Sequence, residues 1–136
     1  MIETSALTTE QKARILALAE AIEAGARLHP QGSKFYWSPV GYPVYDIDPA
    51  AITWATCAFG AAWEATHEDF DVTNENHRHS ISAMDMLNFF DVRGVHVRSP
   101  IGTFSNRSLY DLIIGLNDEA GWSREDIAEW LKSLVR

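Results

Sequence analysis

The chain has 136 residues, of which 46% are hydrophobic and 22% charged, so we expect an ordinary globular protein with a single domain over residues 1–136. Its formal net charge of -8 disfavours direct nucleic-acid binding, which draws most of its affinity from clustered Lys and Arg. Its single cysteine excludes an internal disulfide and a multi-cysteine zinc site, and no apolar stretch is long enough to span a membrane, so we predict a cytoplasmic protein without membrane contact.

The first predicted helix covers Thr8–Leu28. Thr8 and Gln11 form a T-x-x-Q capping box, in which each side chain can reach the other residue's unpaired backbone N–H. Apolar residues then recur at helical spacing, at Ile15, Leu18, Ile22 and Ala26. His29-Pro30 ends the helix, because proline disfavours helical geometry in the residue before it.

A short β-hairpin is predicted next, with strands at Phe35–Trp37 and Val44–Ile47 around a turn rich in proline and glycine. Its aromatic rings allow two interpretations, since they can stack on a flat ligand or cover the core. Covering the core is the commoner role. The rings belong to Phe35, Tyr36, Trp37 and Tyr42.

The segment from Asp48 to His67 predicts a buried central helix. Asp48 can cap it and Pro49 fits its first position, and its apolar side chains are distributed around the whole circumference. Cys57 would then lie more than two turns inside the helix. One polar stripe faces water or lines a pocket, and it consists of Thr53, Thr56, Gly60, Glu64 and His67.

The polar segment His67–Ser80 contains three histidines and four carboxylates, yet it has no recognised metal-ligand spacing. We therefore expect a solvated loop and no bound metal. A third helix is predicted over Ile81–Arg93, with Ser82 capping it and Gly94 stopping it. A short strand at Val95–Val97 follows.

A fourth helix is predicted to open at Asn106 and to end before a turn at Asn117-Asp118. The fifth begins after the cap Ser123, with Asp126 at the capping-box position. The predicted fold class is thus mainly α (α+β), a compact bundle of about five helices around the buried central helix, with a small β-hairpin.

Cys57 is the one nucleophile that supports a catalytic hypothesis. The run Cys57–Ala61 has some likeness to the cysteine helix of papain-like proteases, and His96 on a possible strand would supply the imidazole. That chemistry needs the sulfur at a helix N-terminus, whereas the predicted helix places it in the interior. A further alternative brings Asp118 and Glu64 together with Cys57 in one site.

Four motifs, taken in order, resemble a family of small uncharacterised bacterial and bacteriophage proteins. These motifs are Ser38–Val44, Cys57–Ala61, Leu116-Asn117-Asp118 and Gly121-Trp122-Ser123, followed by an amphipathic helix. The segment Glu68–Ser105 takes no part in the resemblance. The resemblance implies a shared architecture and a phage or bacterial origin, and it implies no activity.

The leading hypothesis is a non-enzymatic, phage- or prophage-encoded binding protein that occupies a host protein or a small ligand, without cofactor or metal. Counter-defence would be one form of this role, by masking a basic nucleic-acid groove or by sequestering a nucleotide signal. The predicted binding residues are Trp37, Tyr42, Thr53, Thr56 and Glu64. The alternatives are a cysteine-dependent hydrolase or transferase that uses Cys57 and His96, and a structural protein that forms homo-oligomers.

Overall fold

The computed structural model describes residues 7–40, 52–102 and 107–136. Within these ranges the chain forms six helices and two short strands. In chain order they are α1 (Thr9–Ala26), β1 (Trp37–Pro39), β2 (Trp54–Thr56), α2 (Ala58–Thr66), α3 (Glu75–Ser80), α4 (Ala83–Phe90), α5 (Leu109–Asp118) and α6 (Arg124–Ser133). The predicted class is confirmed, since helices dominate and the strands form one small antiparallel sheet.

Helix α1 begins as its sequence predicts. The Thr8 side chain accepts from the Gln11 N–H, and the Gln11 side chain accepts from the Thr8 N–H, so the capping box is complete. Ile15, Leu18 and Ile22 are fully buried on one face. The helix ends at Ala26, slightly before the predicted Leu28.

Helices α1 and α2 cross at a contact that only glycine permits. A Cβ placed on Gly25 would lie 1.8 Å from the carbonyl oxygen of Ala61, so the two backbones touch directly. Helix α1 also packs against α6, which contributes the buried side chains of Ile127, Ala128 and Leu131 to the core. The core lies between α1, α2, α5 and α6, and α4, the two strands and residues 92–97 also contribute buried side chains to it.

The prediction of one helix through Cys57 is wrong. Trp54–Thr56 is extended and pairs antiparallel with β1, with Trp37 opposite Thr56 and Pro39 opposite Trp54. Helix α2 starts only at Ala58, and Cys57 is its N-cap residue with extended backbone angles. The predicted first helical position, Pro49, and the predicted second hairpin strand lie outside the described residues.

Three further features in the middle of the chain differ from the prediction. The segment predicted as a loop contains the short helix α3, which Asn74 caps by accepting from two backbone N–H groups. Helix α4 has the predicted Ser82–Asp85 capping box, but it ends at a left-handed Asp91 rather than at Gly94. In place of a strand at Val95–Val97, an isolated bridge joins His96 to Ser108.

The bounds of the two C-terminal helices differ in part from the prediction. Ser108 caps α5, because its hydroxyl accepts from the Asp111 N–H and the first helical residue is Leu109. The predicted opening residue, Asn106, lies outside the described residues. Asn117-Asp118 forms the last turn of α5, so the predicted turn at this position is wrong. Ser123 caps α6 as predicted and accepts from the Asp126 N–H. No helix in the described parts of the chain has the length and apolar character that crossing a membrane requires.

Candidate active site or ligand pocket

A pocket of about 290 Å³ opens beside the N-terminus of α2. We call it the Cys57 pocket. Residues 34–36, which precede β1, form one wall, and Cys57 forms another. The third wall is one face of α5, since residues separated by three or four positions lie on the same side of a helix. That face presents Tyr110, Asp111, Ile114 and Asp118.

The Cys57 side chain lines the pocket because the chain changes from strand to helix at this residue. Its Sγ accepts a hydrogen bond from the Gly60 N–H at 3.5 Å, as an N-cap side chain does. The thiol is only 3% exposed. Burial raises the pKa of the Cys57 thiol to about 11, although hydrogen bonds from the Gly60 and Phe59 N–H groups oppose the shift. The sulfur is therefore a neutral thiol near neutral pH.

Asn117 holds the first turn of α2 in place through a side-chain hydrogen bond. Its side-chain oxygen accepts from the Ala58 N–H at 3.3 Å, and its side-chain nitrogen donates to the Gly32 carbonyl at 2.9 Å and to Asp118 at 2.8 Å. The residue is 4% exposed. One amide thereby ties α5 to the loop after α1 and to α2.

Tyr36 and Tyr110 both line the pocket, and their hydroxyl groups share a hydrogen bond. Burial raises the pKa of both phenols, so neither ionises near neutral pH. The backbone carbonyl of Tyr36 approaches α2 closely, because a Cβ on Gly60 would lie 2.2 Å from that oxygen. Gly60 is therefore needed where the pocket wall meets the helix.

The segment before β1 gives the pocket an exposed rim. Lys34 has a left-handed backbone with φ of 73°, which is uncommon for a residue with a side chain. The next residue, Phe35, is 67% exposed although it is a large aromatic. Strained backbone positions cluster at ligand-binding sites.

The predicted catalytic pair does not meet in this pocket. His96 is exposed and is held in the bridge to Ser108, and no described histidine lines the pocket wall. The hypothesis that joined Cys57 with Asp118 and Glu64 in one site agrees with the structure for Asp118 but not for Glu64. Asp118 lines the pocket with Cys57, whereas Glu64 lies in a different cluster.

That second cluster contains two of the predicted binding residues. Glu64 accepts from the Trp37 indole N–H at 2.8 Å, and its other oxygen lies 2.8 Å from His29 Nε2. Phe70 stacks on the Trp37 ring with a centroid distance of 4.4 Å. These contacts occupy the polar groups of Trp37 and Glu64 within the protein.

The remaining predicted binding residues are dispersed. Thr56 is fully buried and its hydroxyl accepts from Arg124 at 2.7 Å, while Thr53 is exposed at the end of the strand pairing. Tyr42 lies outside the described residues. The predicted polar stripe is therefore not one surface, because its first members are extended and its later members are helical.

Among the described side chains, no group of three or more His, Cys, Asp or Glu residues is placed to hold a metal ion.

Sequence reasoning missed Tyr110, Asp111 and Ile114. Their spacing in an amphipathic helix was visible, but nothing in the sequence indicates which polar face of a helix meets a cysteine from a distant segment.

Comparison of the chain with protein-family models, curated proteins and solved structures found no match.

Proposed function

We propose that this chain is a non-enzymatic binding protein whose ligand is a small molecule held in the Cys57 pocket. The observation that carries the proposal is the convergence of three distant segments, residues 34–36, Cys57 and α5, around about 290 Å³ of space. Ligand pockets are typically concave, largely apolar and lined by a few polar groups at defined positions. The Cys57 pocket has this composition, with the charges of Lys34, Asp111 and Asp118 around aromatic and aliphatic walls.

The state of the thiol supports binding rather than catalysis. A cysteine nucleophile reacts as the thiolate and is activated by a base or by a lowered pKa. Burial instead raises the pKa of Cys57 to about 11, and none of the described residues around it is a histidine. The thiol then acts as a small, weakly polar part of the wall.

We extend the proposal to a cytoplasmic, phage- or prophage-encoded protein that counters a host defence by removing a small molecule. The free Cys57 thiol fits a reducing compartment, and the family resemblance of the sequence motifs supports the origin. The pocket favours sequestration of a small molecule over masking of a basic protein groove. A nucleotide signal fits poorly, since its phosphates would face Asp111 and Asp118.

The experiment is a thermal-shift screen of a metabolite panel that includes amines, nucleotides and carboxylates, followed by a pocket-filling variant. Ile114→Trp places an indole in the half-buried wall of the pocket, and Ile81→Trp changes a half-buried isoleucine outside that wall. We expect at least one compound to raise the melting temperature of the wild type and of Ile81→Trp, but not of Ile114→Trp. A ligand that stabilises all three proteins equally binds elsewhere and contradicts the proposal.

The second candidate is the cysteine-dependent enzyme, which the position of Cys57 at a helix N-terminus favours. Native labelling with iodoacetamide separates the two candidates. For a binding protein, a pKa of about 11 instead of 9.0 reduces the thiolate fraction at mildly alkaline pH about 100-fold, and burial slows labelling further. Labelling of the native protein as fast as that of the urea-unfolded chain would favour the enzyme.

A further inference from the structure

We infer that the ligand of the Cys57 pocket is an organic cation, with an ammonium group near Asp111 and Asp118 and an apolar part against Phe35 and Tyr36. This inference rests on the proposed function and adds the chemical class of the ligand. Charge, hydrogen bonding and ring composition support it separately.

The charges around the pocket sum to a negative field. Asp111 and Asp118 lie on the α5 wall, and Lys34 is the one cation among the described residues that line the pocket. Lys34 and Asp111 are both exposed, so water screens their charges more strongly than that of the half-buried Asp118. The neutral groups respond to this field, because Asp118 contributes to the raised pKa of Cys57 and both carboxylates contribute to that of Tyr110.

The N-terminus of α2 does not provide free N–H groups that would let an anion bind despite this negative field. Helix N-termini bind anions through unpaired backbone N–H groups. Here the Ala58 N–H donates to the Asn117 side chain and the Gly60 N–H donates to the Cys57 sulfur. An anionic ligand would have to displace these internal partners, whereas a cation needs neither group.

Aromatic rings form much of the rest of the lining. Phe35, Tyr36 and Tyr110 all contribute to the pocket, and Phe35 is largely exposed at its rim. The face of an aromatic ring attracts a cation, and the attraction increases when water is excluded. Carboxylates beside neutral aromatic rings are thus the combination that selects an amine or a quaternary ammonium group.

The test compares three soluble probes of the same ring size that differ in charge, namely benzylammonium, benzyl alcohol and benzoate. Their dissociation constants are measured by amide NMR titration near neutral pH and low salt. We expect benzylammonium to bind about 10-fold tighter than benzyl alcohol and benzoate to bind weakest, with shifts at Cys57 and along α5. Added salt should weaken the binding of benzylammonium.

Charge variants assign the selectivity to the pocket. Asp111→Asn and Asp118→Asn should each weaken benzylammonium binding about 5-fold, and Lys34→Gln should strengthen it about 2-fold. Asp126→Asn is the matched control for Asp111→Asn, because Asp126 holds the same position after the cap of α6 and lies outside the pocket. It should leave the binding of all three probes unchanged.

Each other outcome overturns the inference in a way that separates it from the proposed function. Tighter binding of benzoate, or equal binding of the three probes, rejects the cation while a small-molecule pocket stands. Absence of binding by all three, with an uncharged or anionic ligand found in the thermal-shift screen, also rejects only the cation. If the probes and the whole screen are negative, both proposals fail.

Discussion

The Arg124 side chain is hydrogen-bonded to backbone carbonyls from several separate segments. It is 4% exposed and donates to the carbonyls of Ala26 and His29 at 3.2 and 2.8 Å and to the Thr56 hydroxyl at 2.7 Å. Desolvation lowers the pKa of Arg124, but the guanidinium stays charged because its ordinary pKa is so high. The end of α1, the following loop and β2 are thus joined by one planar group.

We expect Arg124→Met to lower the free energy of unfolding by about 3 kcal/mol or more, because several buried acceptors lose their donor. Arg124→Lys should also be destabilising, by about 2 kcal/mol, since an ammonium cannot reproduce the planar fork of donors. Urea unfolding measures both values. The exposed Arg27 provides the control, and Arg27→Met should change stability by less than about 0.5 kcal/mol. Equal effects at the two positions would contradict the structural role of Arg124.

At the scale of elements, the sequence predicted helices well where their caps follow the usual chemistry. The capping residues Thr8, Ser82 and Ser123 were all assigned correctly, because hydroxyl side chains accept from backbone N–H groups three residues later. These contacts are local, so the sequence contains all the information that they need.

The strand Trp54–Thr56 and the cap at Cys57 were missed for a physical reason. A short apolar run that is buried on all sides has no periodicity, so it does not distinguish helix from strand. What makes these residues extended is pairing with β1 and the hydrogen bonds of Arg124, which are distant in sequence. The candidate site was predictable only in part, because the position of Cys57 depends on this one strand-to-helix change.

The crossing of α1 and α2 gives a prediction about packing. Gly25→Ala gains about 1 kcal/mol of helix propensity, but its Cβ would overlap the Ala61 carbonyl, so the helices must move apart. We expect a net loss of about 2 kcal/mol or more in the free energy of unfolding, measured by urea denaturation. Ala24→Gly, at the neighbouring exposed position, should cost only the helix propensity of about 1 kcal/mol. A stabilising Gly25→Ala would mean that the helices do not touch there.

At the scale of the whole molecule, the fold combines a net charge of -8 with three neutral acidic groups inside one pocket. Burial raises the pKa of Cys57, Tyr36 and Tyr110 alike. Each of these groups must lose its proton at high pH in the unfolded chain, while the folded state keeps the proton bound. The protein should therefore be sensitive to alkali, and the thiol should titrate first because its ordinary pKa is the lowest of the three.

The alkaline stability of the wild type should fall between about pH 9 and 11, because the unfolded chain binds fewer protons than the folded one in this range. The stabilisation from the neutral thiol is complete below the unfolded pKa of 9.0 and is lost as pH approaches the folded value of about 11. The thiol alone contributes a slope of about 1.4 kcal/mol per pH unit, to which the two tyrosines add above their unfolded pKa. Cys57→Ser keeps an N-cap side chain and both tyrosines but has no titrating group at position 57, so its free energy of unfolding should decline less steeply. Urea unfolding of both proteins at several alkaline pH values measures the difference, and parallel pH profiles would mean that Cys57 is not buried as a neutral thiol.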